Sequence, residues 1–142
     1  MIRVVLAVVV SAALLGVGLP AAERVDRERN AALATDELES VADTAAELSE
    51  GNDPIDRDRE PAATTIAVDV PAPTFADEGR VRIRDDELRW EPAGGRNHTV
   101  EPSVPLRVEA PIVAGDRFRL RLSFVLIDGR AAVFARPVGP RA

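Results

Sequence analysis

Four kinds of patterning follow one another along the chain. Residues 4–22 (VVLAVVVSAALLGVGLPAA) carry no charge. Residues 23–50 contain neither Gly nor Pro and mix Ala, Leu, Glu and Arg, which predicts a helix that closes at Gly51. Residues 51–63 (GNDPIDRDREPAA) form a charged stretch with prolines, expected to be a solvated linker. From Thr64 onward apolar residues recur at every second position, which predicts strands. The expected class is α+β, with a long N-terminal helix, a membrane segment continuing into an amphipathic helix, and then a small antiparallel β-sheet domain. The expected boundaries are 1–22, 23–50, 51–63 and 64–142.

The first block is long enough to cross a bilayer. Its nineteen residues, with Val4, Leu6, Val10, Leu14, Leu15 and Leu19 as the large apolar positions, would span roughly 28 Å as a helix, about one hydrocarbon core. A cleaved secretory signal shares several of these features: Arg3 precedes the run, and Ala21 and Ala22 end it. Pro20 beside that end and the length of the run favour a retained single-pass anchor, with membrane lipid as its partner. Arg24, Arg27 and Arg29 alternate with Glu23, Asp26 and Glu28, so they hold the following domain inside only weakly, and the C-terminal domain is expected outside the cell membrane. The alternative location is a secreted domain after signal cleavage.

Behind the anchor, Ala31, Ala34, Leu38, Val41, Ala45 and Leu48 recur at intervals of three and four, forming a helix-packing seam. Half of these are alanine. The seam suits close packing, either on this protein's own sheet or on helices of other chains.

In the β region the turn chemistry sets the expected register. Asp85-Asp86 between residues 80–84 and 87–91 predicts a hairpin pairing Ile83 with Leu88 and Val81 with Trp90 on one face. The other face sets Arg84 against Glu87, Arg80 against Glu91, and Arg82 unfavourably against Arg89. Asp128-Gly129 predicts a second hairpin pairing Leu126 with Ala131, Phe124 with Val133 and Leu122 with Ala135. A third turn at Ala114, Gly115 and Asp116 is expected to set Glu109 opposite Arg121. One sheet with Trp90 and Phe124 on a common apolar face under the helix follows from these pairings. Its other face holds Arg117, Arg119 and Arg121, expected to be solvated and laced with Glu pairs, with Val125, Ile127 and Phe134 as apolar exceptions that mark a contact patch.

Charge divides the chain further. Residues 1–22 carry +1, residues 23–60 carry −8 from thirteen acids and five arginines, and residues 61–142 carry +1. This acidity, without a basic cluster, argues against a nucleic-acid partner. All eighteen basic residues are arginine and cysteine is absent, which excludes disulfides and thiolate metal sites. Asp53, Asp56, Asp58 and Glu60 lack the order and central glycine of a calcium loop. His98 is the only histidine, tyrosine and lysine are missing, and no serine sits in a nucleophile elbow. No enzyme, cofactor or metal site is therefore expected. Asn97-His98-Thr99 is an N-glycosylation sequon, which makes Asn97 a possible glycosylation site.

An apolar N-terminal segment running into an alanine-seamed helix, then a charged loop and a small antiparallel sheet, resembles the layout of type IV pilins and pseudopilins. Pro20 falls near the helix-bending proline of that family. The resemblance implies that the first half of the helix packs in a filament core or waits in the membrane while the second half lies on the sheet. The partners it implies are other pilin-like subunits or envelope proteins. The acidic, lysine-free composition is similar to that of haloarchaeal proteins, and the implied role is a minor or accessory, non-enzymatic component of a cell-envelope machine. The alternative expectation is an anchored or secreted β-sheet binding module that recognises an envelope ligand.

Overall fold

The computed structural model describes residues 2–139. It is an α+β protein: among the described residues one helix, α1 (Ile2–Glu50), precedes nine strands. These are β1 (Ile55–Asp56), β2 (Ala63–Val68), β3 (Arg80–Arg84), β4 (Glu87–Glu91), β5 (His98–Val100), β6 (Leu106–Val108), β7 (Ile112–Ala114), β8 (Phe118–Ile127) and β9 (Arg130–Val138). The helix passes through Pro20 without ending and closes at Gly51, whose N–H donates to the Glu47 carbonyl (3.1 Å). Gly51 thus takes up one of the carbonyls that a helix end leaves without a partner.

Both hairpin registers read from turn chemistry are present. β3 and β4 pair Val81 with Trp90 and Ile83 with Leu88. β8 and β9 pair Leu122 with Ala135, Phe124 with Val133 and Leu126 with Ala131. The tight β8–β9 connection puts Asp128 at φ 52° and Gly129 at φ 74°, the left-handed pair that an Asp-Gly turn supplies at low cost. On the outer face of β3–β4 one ion pair runs diagonally across the strands and the other along β4. Arg82 forks onto Glu91 (2.8 and 3.1 Å), and Arg89 reaches Glu87 (2.7 Å). The Arg82–Arg89 opposition is relieved in this way.

Three expectations are corrected. The strands form two sheets, one of β1, β2, β8, β9 and β6, the other in the order β5-β4-β3-β7. Two of the pairings, β1 with β8 and β6 with β9, are parallel. Trp90 and Phe124 therefore lie in different sheets, although they share one core. The turn at Ala114 to Asp116 is not a hairpin, because β7 crosses to pair with β3. Arg121 lies opposite Thr65 and Arg136, and Glu109 is not across from it. Finally, residues 51–63 are more than a solvated linker. Ile55 pairs with Val125, and the Arg57 guanidinium sits 3.8 Å from the centre of the Phe134 ring. This stretch covers part of the outward apolar patch, leaving Val125 2 % exposed.

The turn between β3 and β4 also fastens one sheet to the other. Asp86 Oδ1 accepts the Leu106 N–H (2.8 Å), and Asp85 Oδ1 accepts the Val108 N–H (2.9 Å). Asp86 N–H donates to the Leu106 carbonyl (3.0 Å), and its Oδ2 pairs with Arg107. Asp86 adopts φ 56°, a left-handed geometry that a short polar side chain tolerates. Burial works against the charge of Asp86, but hydrogen bonds from the Arg107 side chain and the Leu106 backbone outweigh it and hold the carboxyl below its usual range. A carboxyl depressed on folding contributes stability above its unfolded pKa of about 3.9, and that contribution is lost as pH falls through the lower folded value. Asp86→Ala strands the N–H of buried Leu106, so an unfolding loss of about 1–3 kcal/mol is expected at neutral pH. The deficit relative to wild type should shrink in denaturation curves taken below about pH 4; a deficit constant down to pH 2 would contradict the clamp.

Candidate functional site

The helix is the feature most divided in its surroundings, and the division falls at the end of its apolar run. Residues 2–22 are exposed without exception, including Val4 (68 %), Leu14 (69 %) and Leu19 (52 %), with Leu6, Val10 and Leu15 between them. This portion is long and apolar enough to cross a membrane, and none of its most apolar 18-residue window is buried. The structure shows a helix compatible with either a span or a signal sequence.

From Asn30 the same helix is docked. Ala31, Ala34, Leu38, Val41 and Ala45 are buried, and Leu48 packs partly buried against the same core. The seam residues are brought together on this protein's own sheets, where α1 touches β2, β4, β5, β8 and β9. Alanine at three of these positions lets the helix backbone come close to both sheets at once, and Leu38 and Val41 each contribute about 1.5–3 kcal/mol of apolar burial. Along its edge the helix is stitched to the chain after β2. Glu37 accepts the Asp69 N–H (3.0 Å), and Arg27 Nε donates to the Ala76 carbonyl (3.4 Å).

Where the helix leaves the domain, two loops form a rim. Asp77, 2 % exposed, joins them: its Oδ1 accepts the Ala93 N–H (3.2 Å), and its own N–H donates to Thr74 Oγ1 (3.2 Å). Gly79 packs closely against the indole of Trp90, so that a Cβ there would overlap ring atoms Cζ2 and Cη2. Asn97 stands exposed on the second loop, with His98 and Thr99 opening β5 at the sheet edge. An open groove of about 670 Å³ separates this loop from α1, lined in part by Arg24, Arg27, Thr35, Pro92, Arg96 and His98. Arg24 and Arg27 are occupied with Glu28 and Glu23. Among the described residues no group of three or more His, Asp or Glu is arranged to hold a metal ion.

The arginine face of β8 does not carry the expected glutamate ladder. Arg121 and Arg136 are directly opposed, Arg117 just before β8 pairs with Asp69 (2.9 Å), and Glu109 lines an open groove with Arg119 and Arg136. Charge is polarised along the helix instead. Residues 23–35 hold three acids and three arginines, whereas residues 36–60 hold ten acids and two arginines. The net charge of −8 therefore falls wholly in residues 36–60, beyond a balanced segment that follows the free helix. Sequence reasoning missed Asp77, Gly79 and the clamp at Asp85 and Asp86. A doubled aspartate where one suffices for a turn was the available signal for the clamp.

The chain belongs to the family described as a domain of unknown function (DUF7311), whose family model matches residues 1–138. No curated protein and no solved structure matches it.

The Gly79–Trp90 contact gives a direct check on the rim. Gly79→Ala should cost about 1–3 kcal/mol through overpacking and red-shift the emission of Trp90, the chain's single tryptophan. Unchanged emission and stability would remove the contact.

Proposed function

We propose that this protein is a membrane-anchored, pilin-like, accessory component of a cell-envelope machine, non-enzymatic, with its sheets outside the membrane. The observation that supports this reading best is the division of α1. One continuous helix is bare over residues 2–22 and buried against two sheets from Asn30. Water does not tolerate a bare, uncharged and mostly apolar helical run of nineteen residues, 4–22, so that half has an apolar surrounding, either lipid or neighbouring helices. The docked half then transmits position from the membrane to the sheets as a rigid lever, as the resemblance to pilins implies. Partners in this reading are membrane lipid and other pilin-like subunits.

A second reading is favoured by one observation. The Arg121–Arg136 opposition places like charges side by side, which is unfavourable unless an anion lies between them. In that reading the protein is an anchored or secreted β-sheet binding module for an anionic envelope ligand, and its helix makes no packing contacts with copies of itself.

The absence of cysteine makes the two readings separable. Single cysteines introduced at successive positions from Ala12 to Val17 of the full chain should form disulfide-linked dimers in native membranes under mild oxidation. Their yield should peak every three to four positions, the period of one helix face. Monomer at every position would contradict the assembly role and leave the binding module.

A further inference from the structure

Outside the free helix, the described large apolar side chain with the greatest exposure is Phe75, at 89 %. A lone exposed apolar residue is ordinary on a soluble surface. Phe75 differs in how it is held and in where it is held. It lies in the uncharged run Pro71 to Ala76, inside a turn closed from both ends. Thr74 N–H donates to the Asp77 carbonyl (2.8 Å), and Asp77 N–H donates back to Thr74 Oγ1 (3.2 Å). The buried Asp77 carboxylate and the Gly79–Trp90 contact fix that turn to the domain. The ring is thus held out by a built loop.

The place follows from Arg27. Its Nε donates to the carbonyl of Ala76, the residue after Phe75. Arg27 is five residues past Ala22, a rise of about 7–8 Å, and helix side chains lean toward the N-terminus, which brings the contact back toward the end of the apolar run. The headgroup layer on each side of a bilayer is about 5–8 Å deep. With residues 4–22 in hydrocarbon, the tip of the loop falls within that layer. Charge does not oppose the approach, because residues 23–35 balance three acids with three arginines. The ten acids of residues 36–60 begin about 20 Å from Ala22 along the helix.

We propose that Phe75 is a second membrane contact, its ring entering the headgroup layer of the bilayer that α1 crosses and setting the tilt of the sheets on the phospholipid surface. This rests on residues 4–22 remaining in a bilayer. A helix alone leaves the domain free to swivel and tilt about one axis, whereas a second, rigidly held apolar point removes that freedom. An aromatic ring suits the task because it is large, stiff and at home at the headgroup level.

The test uses the full chain in vesicles of phosphatidylcholine and phosphatidylglycerol, with a nitroxide on one introduced cysteine: Phe75→Cys, Leu14→Cys within the span, or Glu47→Cys on the far part of α1. Collisions with oxygen, which partitions into lipid, are compared with collisions with a water-soluble nickel chelate. The oxygen-to-nickel ratio at position 75 should lie several-fold above that at 47 and below that at 14. A ratio at 75 equal to that at 47 overturns the proposal, and so does shielding from both reagents, which would mean that protein covers the loop. Flotation of the same samples separates the premise from the inference. Protein that stays with alkali-washed vesicles while position 75 is aqueous defeats the lipid contact alone, and protein that fails to float defeats both.

Discussion

The docking of one alanine-rich helical stripe onto two sheets is the interaction on which the rest of the structure depends. Ala31, Ala34, Leu38, Val41, Ala42 and Ala45 are the helix's share of a single core that also includes Leu122 and Phe124 from one sheet and Ile83, Leu88 and Trp90 from the other. Each sheet alone exposes an apolar face that needs a cover. The helix meets strands of both sheets, so covering either one aligns the other. Its small side chains make this possible, because a stripe of leucines would hold the backbone farther from both.

That arrangement makes α1 common to the bare apolar run and the folded domain. The helix is continuous from Ile2 to Glu50, and its docked half is fixed along the edge by Glu37 and Arg27. Orientation of the bare half therefore dictates orientation of the sheets. The charge pattern fits the division. The balanced residues 23–35 lie next to the apolar run, and the acidic residues 36–60 lie beyond. Beside this shared apolar core, the Asp85–Asp86 clamp on β6 joins the two sheets through hydrogen bonds.

What was legible in the sequence was local. The Asp128-Gly129 and Asp85-Asp86 turns fixed two hairpin registers because a two-residue connection leaves little choice of partner. The seam of α1 and the bare run before it followed from periodicity and from the absence of charge. Non-local pairing was not legible. β7 has the same alternation whether it pairs with β8 next to it in sequence or with β3 some thirty residues earlier, and nothing in Ile112, Val113 and Ala114 distinguishes the two. The parallel pairing of β1 was hidden because Ile55 is one apolar residue among acids and arginines. The rim was obscured for a different reason. Asp77 looks like any loop aspartate until burial shows it accepting a backbone N–H, and Phe75 is an unremarkable aromatic until the level of Ala22 is known.

Hydrogen exchange on the full chain in bilayers tests the central dependence most directly. If the stripe holds both sheets, amides of residues 34–45, of β4 and of β8 open together with one free energy. Leu38→Ala, expected to cost about 2–5 kcal/mol, should lower all three by the same amount while leaving residues 4–22 protected. Sheets that kept their full protection in Leu38→Ala while the helix lost its own would show that the two layers stand without it, and would contradict the account.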